Sequence, residues 1–371
     1  MTNNSAEISS LQSKVITCLR FPLAVGVVMI HASISALTID GQNITDSLSL
    51  PGYIFIEGFF NTIFTQTAVP LFFFISGFLF FNKDPDFSIK IYRAKIKKRI
   101  KTLLIPYLLW NLAILILLLI VQSILPELTS GRNKLIIDYS LKDWALSFWD
   151  VSYRTGGLTL PINGPLWFIR DLMVVMVLSP IVYFLVRYLK IFAIILLAFI
   201  WLSGYPGFFV GLSMPAILFF SIGTWFGINE YPFVHKSKLT FLTISLILYA
   251  IVGVILQTNM IQKPAYSYLN KLELLFGCIL IIQTTAYFIE KGTWRPNSFL
   301  AGSSFFIFAY HGPAITYIER TLWKLFTPES DISVTLFYII SIIFTVGLGL
   351  LLYWAIRKIS PSFAGFITGG R

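Results

Sequence analysis

The chain has 371 residues, of which 56% are hydrophobic and 12% are charged, and its formal net charge is +11. About 25% of the residues of a soluble domain are charged, so this composition excludes an ordinary soluble domain. It indicates lipid as the solvent, because a charge in the bilayer core is costly. The two cysteines lie in separate apolar stretches and give no basis for a disulfide framework or a zinc site.

Ten apolar segments approach the length of about 20 residues that a spanning helix needs. They predict an all-α polytopic membrane protein, a bundle of about ten transmembrane helices. The first segment also resembles a secretory signal, but Arg20 interrupts it early, which favours a retained helix. Gly204 and Pro206 end the short fifth segment, so a re-entrant pair with the sixth segment is the alternative. In chain order the segments are 15–37, 53–81, 102–125, 165–187, 189–204, 208–228, 239–257, 270–289, 299–319 and 333–356.

The positions of the basic residues predict the orientation. With a cytoplasmic N-terminus, the inner loops and tails hold 18 of the 28 Lys and Arg residues, and the outer loops hold 7. This is the positive-inside pattern, which places both termini in the cytoplasm and suits the cytoplasmic membrane of a bacterium. It accounts for the basic excess without nucleic acid, and part of the excess is free to meet anionic lipid or an anionic ligand.

The segments also predict the domain organisation. Residues 1–14 and 359–371 are expected to be cytoplasmic tails, the first of them frayed, and residues 15–358 a single transmembrane domain. The longest outer loop, 126–164, contains the Gly156–Gly157 pair and several aromatic residues, among them Trp144, Trp149 and Tyr153. A loop of this length usually binds or covers something. The alternative is an amphipathic stretch lying on the membrane surface with its aromatics in the interface.

Ionisable residues inside the predicted helices are the first candidates for function. Arg20 and His31 lie on the first helix, eleven residues apart, and share a face because eleven steps of 100° exceed three turns by only 20°. They are separated by about 16 Å along the axis. Arg20 lies toward the cytosol, where it can meet an anion, whereas His31 lies in the outer half. A structural hydrogen bond to a neighbouring helix is the alternative for His31.

Five further ionisable side chains fall in the same outer layer as His31. We expect chemistry in this layer, although residues near helix ends also suit the interface. Gly312 and Pro313 are expected to break the ninth helix beside the histidine of this set and to free backbone carbonyls there. The five are Glu57, Arg170, Asp171, Glu273 and His311.

Two further features are less specific. Pro70 is expected to kink the second helix, and Ser76 favours close packing between helices more than a catalytic role. The basic run 93–101 contains Lys95, Lys98 and Arg99. An orientation signal explains the run, and an anion site is the alternative.

Five motifs, in order along the chain, resemble the membrane acyltransferase-3 family. They are Arg20 and His31 with the spacing Arg-x10-His, the stretch VPLFFFISGFLF at 69–80, Arg99 followed by Pro106 and Tyr107, Leu166-Trp167-Phe168 followed by Arg170, and Tyr310-His311. They extend over most of the chain. The basic segment is rich in lysine and departs from the family's Arg-x-x-Arg pair, and the ninth helix departs from its YLIH segment.

The resemblance implies an enzyme that takes an acyl group, often acetyl, from cytoplasmic acyl-coenzyme A and delivers it to a hydroxyl of a cell-surface or lipid-linked glycan. It implies that His31 is the catalytic residue and that Arg20 and Arg99, with Lys95 and Lys98 nearby, bind the donor. No tightly bound cofactor or metal is expected.

Two mechanisms are open. His31 acts as a general base, oriented by Asp171 or Glu57, or it accepts the acyl group itself. Arg170 is expected to donate a hydrogen bond to the oxyanion. Together with Arg170, the residues His311, Ser76 and Glu273 are assigned to the acceptor side of the site.

Two other functions also fit the residues. A transporter or flippase for a polar or anionic lipid-linked substrate would use buried Arg, His and carboxylates for proton coupling. Many such carriers have two similar halves, and no such repeat is visible in the sequence. The third alternative is a non-catalytic sensor or assembly subunit.

Overall fold

The protein is described by a computed structural model that covers residues 2–34, 38–39, 42–43, 48–124, 134–155, 157–258 and 261–370. In these ranges it is helical apart from loops and two small antiparallel hairpins. One hairpin pairs β1 (Thr38–Ile39) with β2 (Gln42–Asn43). The other pairs β3 (Gly207–Phe209) with β4 (Leu212–Ser213). The all-α architecture predicted from the sequence is therefore confirmed.

Each predicted membrane segment forms helix. The α-helices in chain order are α1 (Thr2–His31), α2 (Pro51–Phe60), α3 (Ala68–Phe81), α4 (Ile89–Arg99), α5 (Ile105–Ile124), α6 (Leu141–Ser147), α7 (Ser152–Thr155), α8 (Trp167–Val177), α9 (Ser179–Leu189), α10 (Ile191–Leu202), α11 (Met214–Ile228), α12 (Leu239–Gln257), α13 (Ala265–Glu290), α14 (Ser298–Phe326), α15 (Asp331–Ile359) and α16 (Pro361–Thr368). Two short π-helical turns lie between these helices. Asn61–Thr65 follows α2 and precedes α3, and Ile100–Leu104 connects α4 with α5.

Six stretches of the described chain are long and apolar enough to cross a bilayer, so the protein is polytopic. They are Ile8–His31, Pro51–Phe81, Ile89–Ile124, Leu239–Gln257, Ala265–Glu290 and Asp331–Ile359. A bent pair, Gly164–Val177 with Ser179–Leu189, is a seventh if it is one span. Helices α10 and α11, at 12 and 15 residues, are shorter than a full span. The count of ten and the cytoplasmic termini stay predictions.

Prolines explain where two of these helices break. Helix α9 carries Pro180 in its first turn, and it is bent by 63° from the segment before it. A proline lacks the N–H and clashes with the carbonyl four residues earlier. The predicted break near Pro70 lies at Gln66 and Thr67, between the π-helical turn and α3. By contrast, α14 continues through Pro313, so the expected break of that helix is wrong.

Both predicted tails contain helix. Helix α1 begins at Thr2, so residues 2–14 extend the first span and are not frayed in the structure. Helix α16 lies in the predicted C-terminal tail and begins at Pro361, after a cap in which the Ser360 hydroxyl accepts from the Phe363 amide at 3.3 Å. The Trp110 indole donates to the Ile367 carbonyl at 3.0 Å, which fastens α16 to α5.

The chain divides into two compact units. Unit 1 comprises Met1–Pro85 with Ile222–Leu352, and unit 2 comprises Asp86–Ser221 with Tyr353–Arg371. The prediction of one domain over 15–358 is left as a prediction.

In unit 1, α1 packs against α14, α13 and α3. The C-terminal part of α1 and the residues that follow it pack with α2, α14 and α15 in one apolar cluster. Its buried members are Val28, Ala32, Ile34, Leu50, Tyr53, Ile307, Ile315, Trp323, Val334, Phe337, Tyr338 and Ile342. Asp331, the first residue of α15, caps α2, because its two carboxylate oxygens accept from the amides of Gly52 and Tyr53 at 2.7 Å each. These contacts fix the end of α1 that carries His31.

In unit 2, the described part of the long outer loop packs along α5. The Ile136 amide donates to Gln122 near the end of that helix at 2.8 Å. Further along the loop, the Phe148 carbonyl accepts from the Tyr107 hydroxyl. Gln122 and Tyr107 are about 22 Å apart along a helix, a large part of a bilayer core of about 30 Å. The described part of the loop therefore extends along much of α5; residues 126–133 and Gly156 lie outside the described residues.

Two glycines of α11 allow its close contact with α3 in unit 1. A Cβ atom at Gly223 would lie 2.0 Å from the Phe74 carbonyl oxygen, and one at Gly227 would lie 2.9 Å from the Phe78 carbonyl oxygen. The four-residue spacing places both glycines on one face of α11. The small residues at this contact thus include glycines of α11, whereas the sequence had pointed to Ser76 of α3.

Replacing Gly223 by alanine should destabilise the protein strongly. The new methyl group would overlap a backbone carbonyl, which cannot move away as a flexible side chain can, and overpacking of this kind costs about 1–3 kcal/mol or more. The melting temperature of the purified protein in detergent is the measurement. Gly347→Ala on α15 is the control, because nothing lies within 4 Å of its added Cβ. Equal melting temperatures for the two variants would contradict the proposed contact.

Candidate active site

Unit 1 brings two of the three histidines together. His31 is the last residue of α1, and His311 lies in the middle of α14. The ring centroids are 5.2 Å apart and the ring planes are inclined by 45°. His31 is exposed, whereas His311 is completely buried. An accessible imidazole is thus in contact with one that is shielded from solvent.

The hydrogen bonding of His311 fixes its tautomer. Its Nδ1 lies 3.2 Å from the Ile307 carbonyl oxygen, one turn earlier in α14. Because a carbonyl can only accept, Nδ1 carries the proton and Nε2 of the neutral ring carries a lone pair. Nε2 is buried and has no hydrogen-bond partner among the described residues. The imidazole uses an ordinary helical carbonyl, not one freed by Pro313 as the sequence had suggested.

Two tyrosines and two acids of unit 1 interact with one another: Tyr53, Tyr338, Glu57 and Glu319. Tyr53 and Tyr338 meet edge to face with ring centroids 5.8 Å apart. The Tyr53 hydroxyl accepts from the Ile34 amide at 2.8 Å and also interacts with Glu57. Glu319 on α14 is buried, with Oε1 unpartnered in the described structure, and interacts electrostatically with Tyr338. Glu57 therefore lies beside tyrosines.

Glu273 lies elsewhere in unit 1. It is buried on α13, and neither carboxylate oxygen has a hydrogen-bond partner within the described ranges. Its Oε1 would be 2.9 Å from a Cβ at Gly253, so this glycine of α12 provides space for the carboxyl group. The expected acceptor role of Glu273 is not tested by this placement.

Arg20 is half-buried on α1 and makes no hydrogen bond or ion pair with any residue that the structure describes. Its guanidinium group is thus available to an anion. Ser76 on α3 is also half-buried.

Arg170 and Asp171 form a buried ion pair in unit 2. Nε and Nη2 of Arg170 donate to Oδ1 of Asp171 at 3.1 and 3.0 Å. Nη1 donates to the carbonyls of Trp149 and Thr159 at 2.6 and 3.0 Å. The other carboxylate oxygen accepts from the Ser213 amide at 3.1 Å. The pair therefore fastens the outer loop and the second hairpin to α8, and most of its hydrogen-bonding capacity is used within unit 2.

Arg99 lines a cavity of about 350 Å³ in unit 2. Arg170 is also on its wall, and the other lining residues are apolar or aromatic. Lys98 on the same helix, α4, is exposed, and Lys95 is half-buried. The cavity is a feature that the sequence did not predict.

Some residues near the histidine pair were also missed. Tyr53, Glu319 and Tyr338 come from three different helices, and only their packing makes them neighbours. Glu319 did carry a signal, since it is an acid within an apolar helix, but it lies at the boundary of the predicted ninth segment.

The helices and the buried polar groups define an integral membrane protein with two histidines in contact where α1 packs on α14. The model of the acyltransferase-3 family, described as an acyltransferase domain, matches residues 14–354. The chain belongs to this family, as its motifs had indicated.

A comparison with curated proteins identifies a bacterial relative. The chain is 25% identical over 321 residues to the succinoglycan biosynthesis protein ExoH of Rhizobium meliloti (strain 1021), an alignment that covers 82% of this chain and 80% of the relative. No solved structure matches the chain significantly.

The Arg170–Asp171 pair should show strong energetic coupling. Arg170→Met would leave a buried carboxylate without its cation, which costs about 3–5 kcal/mol. The double variant Arg170→Met/Asp171→Leu removes both charges and should be more stable than the single variant. Thermal unfolding of the wild type, Arg170→Met, Asp171→Leu and the double variant in detergent measures this. Arg187→Met on α9 is the control, because Arg187 is exposed. A double variant whose loss equals the sum of the two single losses would contradict the coupling.

Proposed function

We propose that this protein is an O-acyltransferase that moves an acyl group, acetyl in the simplest case, from cytoplasmic acyl-coenzyme A to a hydroxyl of a cell-surface or lipid-linked glycan. Membership of the acyltransferase-3 family supports the transfer of an acyl group. The relative named for succinoglycan biosynthesis supports a glycan as the acceptor. The observation that carries the proposal is the contact of accessible His31 with buried His311.

The reaction uses His31 as the general base. Its neutral ring takes the proton from the acceptor hydroxyl while the hydroxyl oxygen attacks the thioester carbonyl. The tetrahedral intermediate then collapses, the carbon–sulfur bond breaks, and the departing thiolate takes the proton from His31. The products are the ester and free coenzyme A, so no further reactant is required. General base catalysis of this kind contributes about 10²–10⁴-fold to the rate.

His311 acts as a positioning residue for His31. Because its Nδ1–H is committed to the Ile307 carbonyl, its Nε2 is available as an acceptor. An N–H of protonated His31 donates to this nitrogen, which stabilises the imidazolium during the reaction. Two adjacent imidazolium ions would repel each other, so the pair takes up only one additional proton and carries at most one positive charge. In this proposal His311 orients His31, the role that the sequence analysis gave to Asp171 or Glu57.

Arg20 binds the donor. It lies on the same helix as His31, about 16 Å away along the axis, and it makes no ion pair in the described structure. Its planar guanidinium suits the phosphates of coenzyme A. The pantetheine arm is long and narrow and would extend along this face of α1 toward His31. The donor thus stays on the cytosolic side while its thioester reaches the acceptor.

The three histidines provide a matched test of the base. In membranes supplied with labelled acetyl-coenzyme A, His31→Ala should lower the transfer of label to glycan by about 10²–10⁴-fold. His311→Leu should lower kcat and leave the KM for the donor unchanged, since His311 does not touch the donor. His235→Ala is the control, because His235 is exposed. Transfer at the wild-type rate by His31→Ala would rule out the base, and label trapped on His31 would favour the acyl-histidine mechanism.

Donor binding tests Arg20 and separates an enzyme from a transporter. Coenzyme A should raise the melting temperature of the wild-type protein, because a ligand of the folded state stabilises it. A charged hydrogen bond is worth about 1.5–3 kcal/mol, so Arg20→Gln should raise the KM for the donor about tenfold or more. Lys14→Gln, an exposed lysine of the same helix, is the control and should match the wild type. An unchanged KM in Arg20→Gln would remove Arg20 from the donor site.

A further inference from the structure

The cavity of unit 2 has the chemistry of a site for a hydrocarbon chain. At about 350 Å³ it has more than twice the volume of an apolar cavity of about 150 Å³ that takes up benzene. Its wall includes Ile96, Leu104, Met173, Val174 and Met176. The amide groups of a pantetheine arm would lose their hydrogen bonds to water against these side chains. An alkyl chain has no such groups to satisfy.

The mouth of the cavity is also apolar. Ile100, Val177 and Phe209 line it and are 45%, 54% and 56% exposed. Leu108 on α5 and Ile181 on α9, in the same unit, are apolar and exposed as well. A membrane protein presents such surfaces to lipid. The cavity is therefore accessible from the hydrocarbon of the bilayer.

One cation on the wall has no counter-charge. Arg170 donates four hydrogen bonds to Asp171 and two carbonyls. Arg99 is half-buried and pairs with no residue of the described chain. It lies at the start of the apolar part of the span, beside exposed Lys98 and Lys101. This is the depth at which a phosphate of a lipid headgroup would lie, on the side that the charge pattern assigns to the cytosol.

We propose that this cavity binds an anionic phospholipid, with one acyl chain between α8 and the segment formed by α4 and the π-helical turn Ile100–Leu104, and with its phosphate on Arg99. The lining of this cavity includes neither histidine, and the proposal does not depend on the acyltransferase activity. It assigns Arg99 to a lipid, whereas the sequence had assigned Arg99 to the acyl donor. Selectivity arises from the single free cation, since a basic residue near an anionic lipid surface contributes about fivefold in affinity.

Trp149 reports on the cavity because its ring is on the wall. Phospholipids with brominated acyl chains quench tryptophan on contact, and the difference between the wild type and Trp149→Phe isolates this residue from the other tryptophans. In nanodiscs, brominated phosphatidylglycerol should quench Trp149 at about a fivefold lower mole fraction than brominated phosphatidylcholine. Arg99→Gln should abolish this preference. Lys97→Gln, an exposed neighbour on α4 outside the lining, should retain it.

A second measurement does not require the Trp149 variant. Dioleoylphosphatidylglycerol should raise the melting temperature of the wild type and of Lys97→Gln more than dioleoylphosphatidylcholine does, and Arg99→Gln should lose this difference. Equal effects of the two lipids would indicate ordinary lipid contact and overturn the proposal, as would a preference that survives in Arg99→Gln. Relief of quenching by acyl-coenzyme A or by inorganic phosphate, lost in Arg99→Gln, would assign Arg99 to a water-soluble anion instead.

Discussion

The packing of α1 along α14 is the contact on which the chemistry of unit 1 depends. In hydrocarbon no water can satisfy a polar group, so each one must find its partner within the protein. His311 meets this requirement on one side only, because Nδ1 has the Ile307 carbonyl and Nε2 has no partner in the described structure. The neighbouring ring of His31 occupies the space next to it. An unsatisfied nitrogen is costly in this environment, and in the proposed mechanism this nitrogen is the one that accepts a hydrogen bond from protonated His31.

The two units use their charged residues differently. In unit 2, Arg170 and Asp171 satisfy each other and hold a loop in place. In unit 1, the guanidinium of Arg20 and Nε2 of His311 have no hydrogen-bond partner among the described residues. A buried group with saturated hydrogen bonds provides rigidity, whereas one with a spare donor or acceptor provides reactivity. This distinction separates residues that look alike in the sequence, where all of them are simply ionisable groups in apolar segments.

The sequence predicted the helices well because hydrophobic length is a local property. It also placed Arg20 and His31 on one face of α1, since the helical repeat determines that relation. It could not identify His311 as the neighbour of His31, because this contact depends on which helices pack together. It misjudged Gly312-Pro313, where tertiary packing keeps α14 continuous. The cavity beside Arg99 could not be predicted either, since its wall comes from α4, the π-helical turn Ile100–Leu104, α8, strand β3 and the loop that carries Trp149.

The cap that Asp331 places on α2 has a consequence for biogenesis. Its partner amide at Gly52 lies 279 residues earlier. At about 5–20 residues per second, translation needs roughly 15–55 s to cover that distance. During this interval the first turn of α2 is in the membrane without the capping carboxylate of Asp331, and α1 lacks its packing partner α14. The contacts of α1 and α2 with α14 and α15 can therefore form only after these two late helices have been inserted. The part of unit 1 that contains the histidine pair is thus assembled late in the synthesis of the chain.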